Sequence, residues 1–270
     1  MSLLVARGLC KAFGGVVAAR DVSFAVERGE LLALIGPNGA GKTTTFNLID
    51  GQLEPDRGTI HLDGEDVTGA PPRAKFRRGV GRTFQIAQTF LSMTVAENVQ
   101  MALISRHGRH RSLLARARRP YREEAVSMLE RVGMADQAER PCAALAYGDV
   151  KRVELAVALA SEPKLLLMDE PTAGMAPRER AALMRLAAGL ARERRMGVLF
   201  TEHDMDAVFA HADRVIVLVR GEIIAGGAPD EVRADARVRE AYLGATGAAA
   251  AERARRGRSG IGAPPPKVLE

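Results

Sequence analysis

The chain has 270 residues, a 47% hydrophobic composition and a formal net charge of +6. Its length allows one large or two small domains, and that apolar fraction suits a globular core. Two cysteines, Cys10 and Cys142, exclude a disulfide framework and fit a reducing compartment. No apolar run of 18 residues offers a membrane span, and no N-terminal segment has the pattern of a cleaved leader. Seven arginines and no acid fall between 106 and 122, so the remainder of the chain carries −1. The basic character is therefore local, and nucleic-acid binding by the whole surface is not expected.

In chain order, residues 3–8 and 22–26 read as strands around Gly14 and Gly15, and Arg28 to Glu30 as a tight turn. Leu31 to Ile35 is a short apolar run with the look of a buried strand. It leads into Gly36, Pro37, Asn38, Gly39, Ala40, Gly41, Lys42, Thr43 and Thr44. Here Gly36, Gly41, Lys42 and Thr43 fit G-x-x-x-x-G-K-[ST], a phosphate-binding loop. Thr44 to Asp50 continues as a helix, with Gly51 as its C′ residue. The physics favours a nucleoside triphosphate. Glycines let backbone N–H groups crowd around phosphate oxygens, and the helix N-terminus adds partial positive charge. Lys42 reaches the β- and γ-phosphates, and the Thr43 hydroxyl is placed for Mg²⁺.

Gly58 to Gly64 alternates like a short strand of a β layer. From Thr94 the pattern turns helical, with Val95, Val99, Leu103 and Ile104 on one face. Pro120 suits a helix first turn, and Ala125, Met128, Leu129 and Val132 form a stripe ending at Gly133. Residues 94–145 thus read as a helical insert. Then follow a helix over 151–161, a strand over 164–168, a helix over 177–195, a strand over 197–202, a helix over 204–211 and a strand over 214–219. That alternation predicts a parallel sheet. Short helical pieces close the fold over 230–242. Beyond Ala245 the composition falls to Ala, Arg, Gly and Pro, which predicts disorder.

Two further stretches carry chemistry. Leu165 to Met168 is a buried strand that delivers Asp169 and Glu170 at its C-terminal end, where ligands sit in open α/β sheets. Asp169 is placed to hold Mg²⁺ through water, and Glu170 to act on an attacking water. Taken alone, the pair reads equally well as a strand ending in two surface acids. Leu145, Ala146, Tyr147, Gly148 and Asp149 lead into a helix whose N-terminus can bind an anion. The chain already has a phosphate loop, so this second anion site suggests one completed by another subunit.

These motifs together resemble the ATP-binding-cassette (ABC) ATPases, over residues 3 to about 244. GPNGAGKTT at 36–44 is similar to the Walker A loop, RTFQ at 82–85 to the Q-loop and LAYGD at 145–149 to the signature. LLLMDEP at 165–171 resembles Walker B, TAGMAP at 172–177 the D-loop, and His203 the switch histidine. KAFGGVVAARDVSF, LAYGDVKRVELA, TEHDMDAVF and APDEVRADARVREAYLGA look like one subgroup, the ATP-binding subunit of branched-chain amino-acid importers. Urea and short-amide importers and the lipopolysaccharide-export ATPase share much of this.

The resemblance implies an α/β P-loop NTPase with a mixed-sheet core, an antiparallel β subdomain and an α-helical subdomain at about 87–160. The catalytic domain would span 1–244, followed by a disordered tail over 245–270. ATP and Mg²⁺ are the implied cofactors. Phe13 would stack on adenine, with a core phenylalanine as the plainer reading. Gln85 would reach Mg²⁺ or water and sense the membrane subunit, and His203 would contact the γ-phosphate. Ala146 and Asp149 stand where the family signature has Ser and Gln, which implies a weaker closure of the facing site. Implied partners are two transmembrane permease subunits, a second ATPase subunit and, indirectly, a periplasmic solute-binding protein, with no nucleic acid. The implied location is the cytoplasmic face of the inner membrane. A soluble cassette ATPase acting on nucleic acid or ribosomes is the reading from another class. The arginine-rich stretch reads first as a solvated face. Anionic lipid contact, worth about 1 kcal/mol per basic residue, comes second. Nucleic acid comes last, since Tyr121 is its lone aromatic.

Overall fold

The structure is a computed structural model and describes residues 2–83, 89–107 and 118–242. Gln85, most of the arginine-rich stretch and the 245–270 tail lie outside the described residues. The chain opens with a long hairpin, β1 (Ser2–Phe13) and β2 (Val16–Glu27), turning at Gly14 and Gly15. Both strands run past the limits that the apolar pattern suggested. Irregular register between them lets polar and small residues such as Lys11 and Ala12 join the ladder. With β4 (Arg57–Leu62) and β5 (Glu65–Asp66) they form a four-stranded antiparallel sheet in the order β2-β1-β4-β5.

The second sheet has six strands and carries the site. Its order is β10-β9-β3-β8-β7-β6, from β3 (Leu31–Ile35), β6 (Val80–Thr83), β7 (Leu165–Asp169), β8 (Gly197–Thr201), β9 (Arg214–Val219) and β10 (Glu222–Gly227). Five strands are parallel and β10 is antiparallel to β9. The continuous apolar runs follow from burial on both faces, and their period of two splits them between two cores. Leu31, Ala33 and Ile35 join the core shared with the helices, as do Leu166, Met168, Val198 and Phe200. Leu32, Leu34, Leu165, Leu167 and Leu199 join the core shared with the antiparallel sheet. The parallel strands also bring Ile35, Asp169 and Thr201 to one edge.

Three strands, the two-residue β5 among them, and one helix were not visible in the residue pattern. β6 reads V-G-R-T and becomes a strand by pairing in register with β7. β10 ends in two glycines and is a strand because β9 offers its free edge. α2 (Pro72–Arg77) is a six-residue helix with Pro72 in its first turn, lying against α1 (Lys42–Asp50).

The helical part follows its sequence signals closely. α3 (Val95–Arg106) starts at a capping box: Glu97 N–H donates to Thr94 Oγ1 at 3.2 Å, and Thr94 N–H to Glu97 Oε2 at 2.9 Å. α4 (Arg118–Arg131) buries Ala125, Met128 and Leu129. α5 (Tyr147–Leu159) packs on both. α6 (Pro177–Arg194) begins with proline and ends at left-handed Arg195. α7 (Met205–His211) is capped by the Asp204 carboxylate, and α8 (Pro229–Ala234) is followed by helix at 236–242.

Candidate nucleotide site

The phosphate-type loop leaves the end of β3 in a space that only glycine can fill. A Cβ on Gly36 would sit 2.1 Å from the Leu218 carbonyl oxygen, and one on Gly41 would sit 2.2 Å from that of Ala18. Gly41 also holds φ at 105°, where side chains are strained. α1 starts directly after it, with no side-chain cap and no acid in its first turn. Its first N–H groups are thus available to an anion. Lys42 is buried, and its ammonium donates to the carbonyls of Gly36 (2.7 Å) and Pro37 (3.2 Å). Burial lowers its pKa, while the charges of Glu170 and Asp169 oppose that shift. The lysine therefore shares one electrostatic neighbourhood with both predicted carboxylates. Thr43, Asn38 and Gly39 are exposed, Thr44 is half-buried, and buried Ala40 is held by Gly221 N–H at 2.8 Å.

At the end of β7, Asp169 pairs in register with Thr201 of β8. The Thr201 hydroxyl donates to Asp169 Oδ1 at 2.8 Å and accepts the Glu170 N–H at 3.1 Å. Glu170 has φ +48°, in the left-handed region, an arrangement that costs about 1–3 kcal/mol and is sustained by its surroundings. Its Oε1 lies 2.6 Å from His203 Nε2. Glu170 and His203, 33 residues apart, thus meet. Buried Glu202 accepts both the Thr172 N–H (2.9 Å) and hydroxyl (2.6 Å), which anchors the stretch after Glu170. Thr201 and Glu202 were not singled out in the sequence. Their signal was position alone, at the C-terminal end of the strand next to β7. Arg82, from the RTFQ stretch, also reaches Asp169 Oδ2, at 3.1 Å.

Phe13 is 48% exposed at the tip of the hairpin, with the Lys11 ammonium 5.9 Å from its ring centroid. It is not a core phenylalanine. At the signature-like stretch, α5 begins with Ala146 in the N-cap position, extended and giving no side-chain cap. Leu145 is half-buried against the helical core, Tyr147 is 47% exposed and Asp149 sits in the first turn. Gly148 is buried against α6, where an added Cβ would stand 3.1 Å from Glu179 Oε2. Among the described residues, no hydrogen bond or ion pair joins 145–149 to 36–44. The two helix starts are therefore separate in the structure. The Thr43 hydroxyl and the Asp169 carboxylate are hard oxygen donors of the kind that suits Mg²⁺.

The ABC transporter profile matches residues 19–173, and a branched-chain amino acid ATP-binding cassette transporter profile matches residues 222–248. The chain is 40% identical over 252 residues to the high-affinity branched-chain amino acid transport ATP-binding protein LivG of Salmonella typhimurium, covering 90% of this chain and 98% of that protein. It is 39% identical over 253 residues to BraF of Pseudomonas aeruginosa, which bears the same description, with the same coverage. A crystal structure of an ABC-transporter ATP-binding cassette in its ADP conformation superposes with a TM-score of 0.83. It has 32% identity and covers 90% of this chain and 99% of that one. The phosphate loop, the carboxylates at the end of β7 and the histidine facing them sit on the fold these proteins share, and the chain belongs to the ABC transporter family as one of its ATP-hydrolysing cassettes.

Proposed function

We propose that this cassette powers the import of branched-chain amino acids across the inner membrane. The observation that carries this reading is the 40% identity to a branched-chain amino acid transport ATP-binding protein over 98% of that protein's length. In this reading the chain works at the cytoplasmic face, beside two transmembrane permease chains and a second ATPase subunit. A periplasmic binding protein delivers the solute. Among the described residues no helix is long and apolar enough to cross a membrane, so the membrane path belongs to the permeases. A groove of 370 Å³ lined by Phe76, Thr83, Ala102 and Val157 is the surface we assign to a permease segment. The catalytic domain spans 1–244, with its helical subdomain at about 87–160.

The geometry of the described residues supports the following roles. Phe13, exposed at its hairpin tip, stacks on adenine. The N–H groups of 36–44 and the Lys42 ammonium hold the phosphates. Thr43 and Asp169, with Gln85 on the strength of the family resemblance, would hold Mg²⁺, which would supply charge neutralisation for the phosphates. Glu170 is the general base: its carboxylate, held through Oε1 by His203, orients the water and takes its proton. His203 Nε2–H donates to that carboxylate and keeps it turned toward the γ-phosphate. The 145–149 helix start closes the phosphate site of the other subunit. With Ala146 lacking a hydroxyl, that closure is the weaker of the two.

Glu170→Gln keeps the size of the side chain and removes its basicity. It is expected to leave ATP affinity within about twofold and to lower turnover by about 10²–10⁴-fold. Normal hydrolysis in that variant overturns the assignment. For the cargo, the chain is co-expressed with its permeases in vesicles and ATP-driven uptake of labelled leucine is measured. Co-purification of two hydrophobic permease chains with uptake supports import. Co-purification of rRNA or DNA, or of permeases that move no amino acid, refutes it.

A further inference from the structure

We propose that Arg82 is the positioning residue of the Asp169 carboxylate, fixing it in the orientation in which it serves Mg²⁺. The proposal rests on the reading of Asp169 as a magnesium carboxylate and goes beyond it, since Arg82 touches neither nucleotide nor metal in that reading.

Arg82 sits on β6, the edge strand, and its side chain is only 11% exposed. One guanidinium nitrogen donates to Asn47 Oδ1 at 2.8 Å and pairs with Asp50, both on α1. The other donates to Asp169 Oδ2 at 3.1 Å. The same guanidinium lies 5.8 Å from the centroid of the Phe46 ring. A single planar group thus ties the far end of the phosphate-loop helix to the end of β7. Lysine could supply the charge but not this fork.

The consequence for Asp169 is specific. Its Oδ1 is held by the Thr201 hydroxyl at 2.8 Å, and its Oδ2 by Arg82. With both oxygens engaged, the carboxylate has one rotamer and one plane. Mg²⁺ demands near-ideal octahedral geometry and tolerates a wandering ligand poorly. Partners that orient a metal carboxylate are worth about 10–100-fold in metal affinity. A plain ion pair between β6 and α1 accounts for the contact with Asp50 alone. It does not account for the third arm, which crosses to the β7 carboxylate and divides its two oxygens with Thr201.

The test is Mg²⁺-dependent nucleotide binding by the full chain. A fluorescent ATP analogue is titrated in EDTA and then against graded Mg²⁺, for the wild type, Arg82→Gln, Arg82→Lys and Asp169→Asn, with thermal midpoints recorded alongside. Arg82→Gln is expected to raise the Mg²⁺ concentration at half-effect about 10–100-fold. Its affinity for the analogue in EDTA stays within about twofold of wild type. Arg82→Lys, which keeps a donor and loses the fork, falls in between and carries the comparison if the glutamine variant does not fold. An unchanged Mg²⁺ midpoint in both Arg82 variants, while Asp169→Asn shifts it, overturns the proposal. An unchanged midpoint in Asp169→Asn overturns the metal reading of Asp169, and this proposal with it.

Discussion

The helix starts of α1 and α5 are built to opposite standards. At α1 the loop is wedged between the Leu218 and Ala18 carbonyls, and its lysine is buried beside two carboxylates. Asp169 and Glu170 are in turn held by Thr201, His203 and Arg82. At α5 the N-cap is an exposed alanine with no side-chain bond, followed by the exposed Tyr147. The first region is fully braced. The second has its first-turn N–H groups and little else. The difference teaches that preorganisation is concentrated at the α1 loop and the end of β7, and that in the proposed reading the second helix start depends on what another subunit brings to it.

The sharpest way to break this contrast is to spoil the braced region. Gly41→Ala drives a Cβ into the Ala18 carbonyl at a strained φ, at a combined cost of about 2–6 kcal/mol. Loss of fluorescent ATP-analogue binding by more than about tenfold, with a lowered thermal midpoint, is expected. Affinity within twofold of wild type would remove the steric argument for the loop.

A smaller effect comes from beneath α1, where the Lys75 ammonium is fully buried and donates to the Leu48 carbonyl at 2.9 Å. Burial pulls its pKa down to about 8, with Asp50 opposing. The unfolded chain releases the same proton near 10.4. Between those values the unfolded state binds more protons, so stability rises with pH across that window, by at most about 3 kcal/mol. Urea melts of the wild type and Lys75→Met at pH 7.5 and 10 read this directly. The wild type gains relative to the variant at the higher pH. A constant difference between the two proteins at both pH values contradicts the burial argument.

The smallest effect tests the less braced region. Ala146→Ser supplies the missing N-cap acceptor, worth about 1 kcal/mol, which raises the thermal midpoint by about 2–4 °C. A midpoint that stays put means that the α5 N–H groups already have a partner, and the contrast would soften.

The parts legible in the sequence share a physical reason: each was dictated by its immediate neighbours. Leu31 to Ile35 and Leu165 to Met168 are continuous apolar runs because the sheet is covered on both faces. Thr94 and Glu97 spell their own capping box. The loop glycines are legible from their own motif spacing, although the carbonyls that leave no room for a Cβ come from distant Leu218 and Ala18. What stayed hidden depends on distant partners. β6 exists because β7 pairs with it, and nothing in V-G-R-T announces that. Thr201 acts on Asp169 across 32 positions and Arg82 across 87. The Glu170 role came from its place at the end of an apolar strand and the His203 role from family resemblance, and their 2.6 Å approach is a product of strand order that a linear reading lacks.

The placement of β3 has a further consequence, in time rather than in space. The hairpin β1–β2 closes over neighbouring residues and can form as soon as it leaves the ribosome. β3 follows it within a few residues, yet it is flanked by β8 and β9, and the Leu31 N–H is held by Asp213 at 2.8 Å, 182 positions later. At about 5–20 residues per second, β8 and β9 arrive some ten to forty seconds after β3. For that interval the nascent chain carries a fully apolar central strand without its neighbours, and the phosphate loop it ends in has no floor. ATP recognition by this protein is therefore a property that switches on late in its own synthesis.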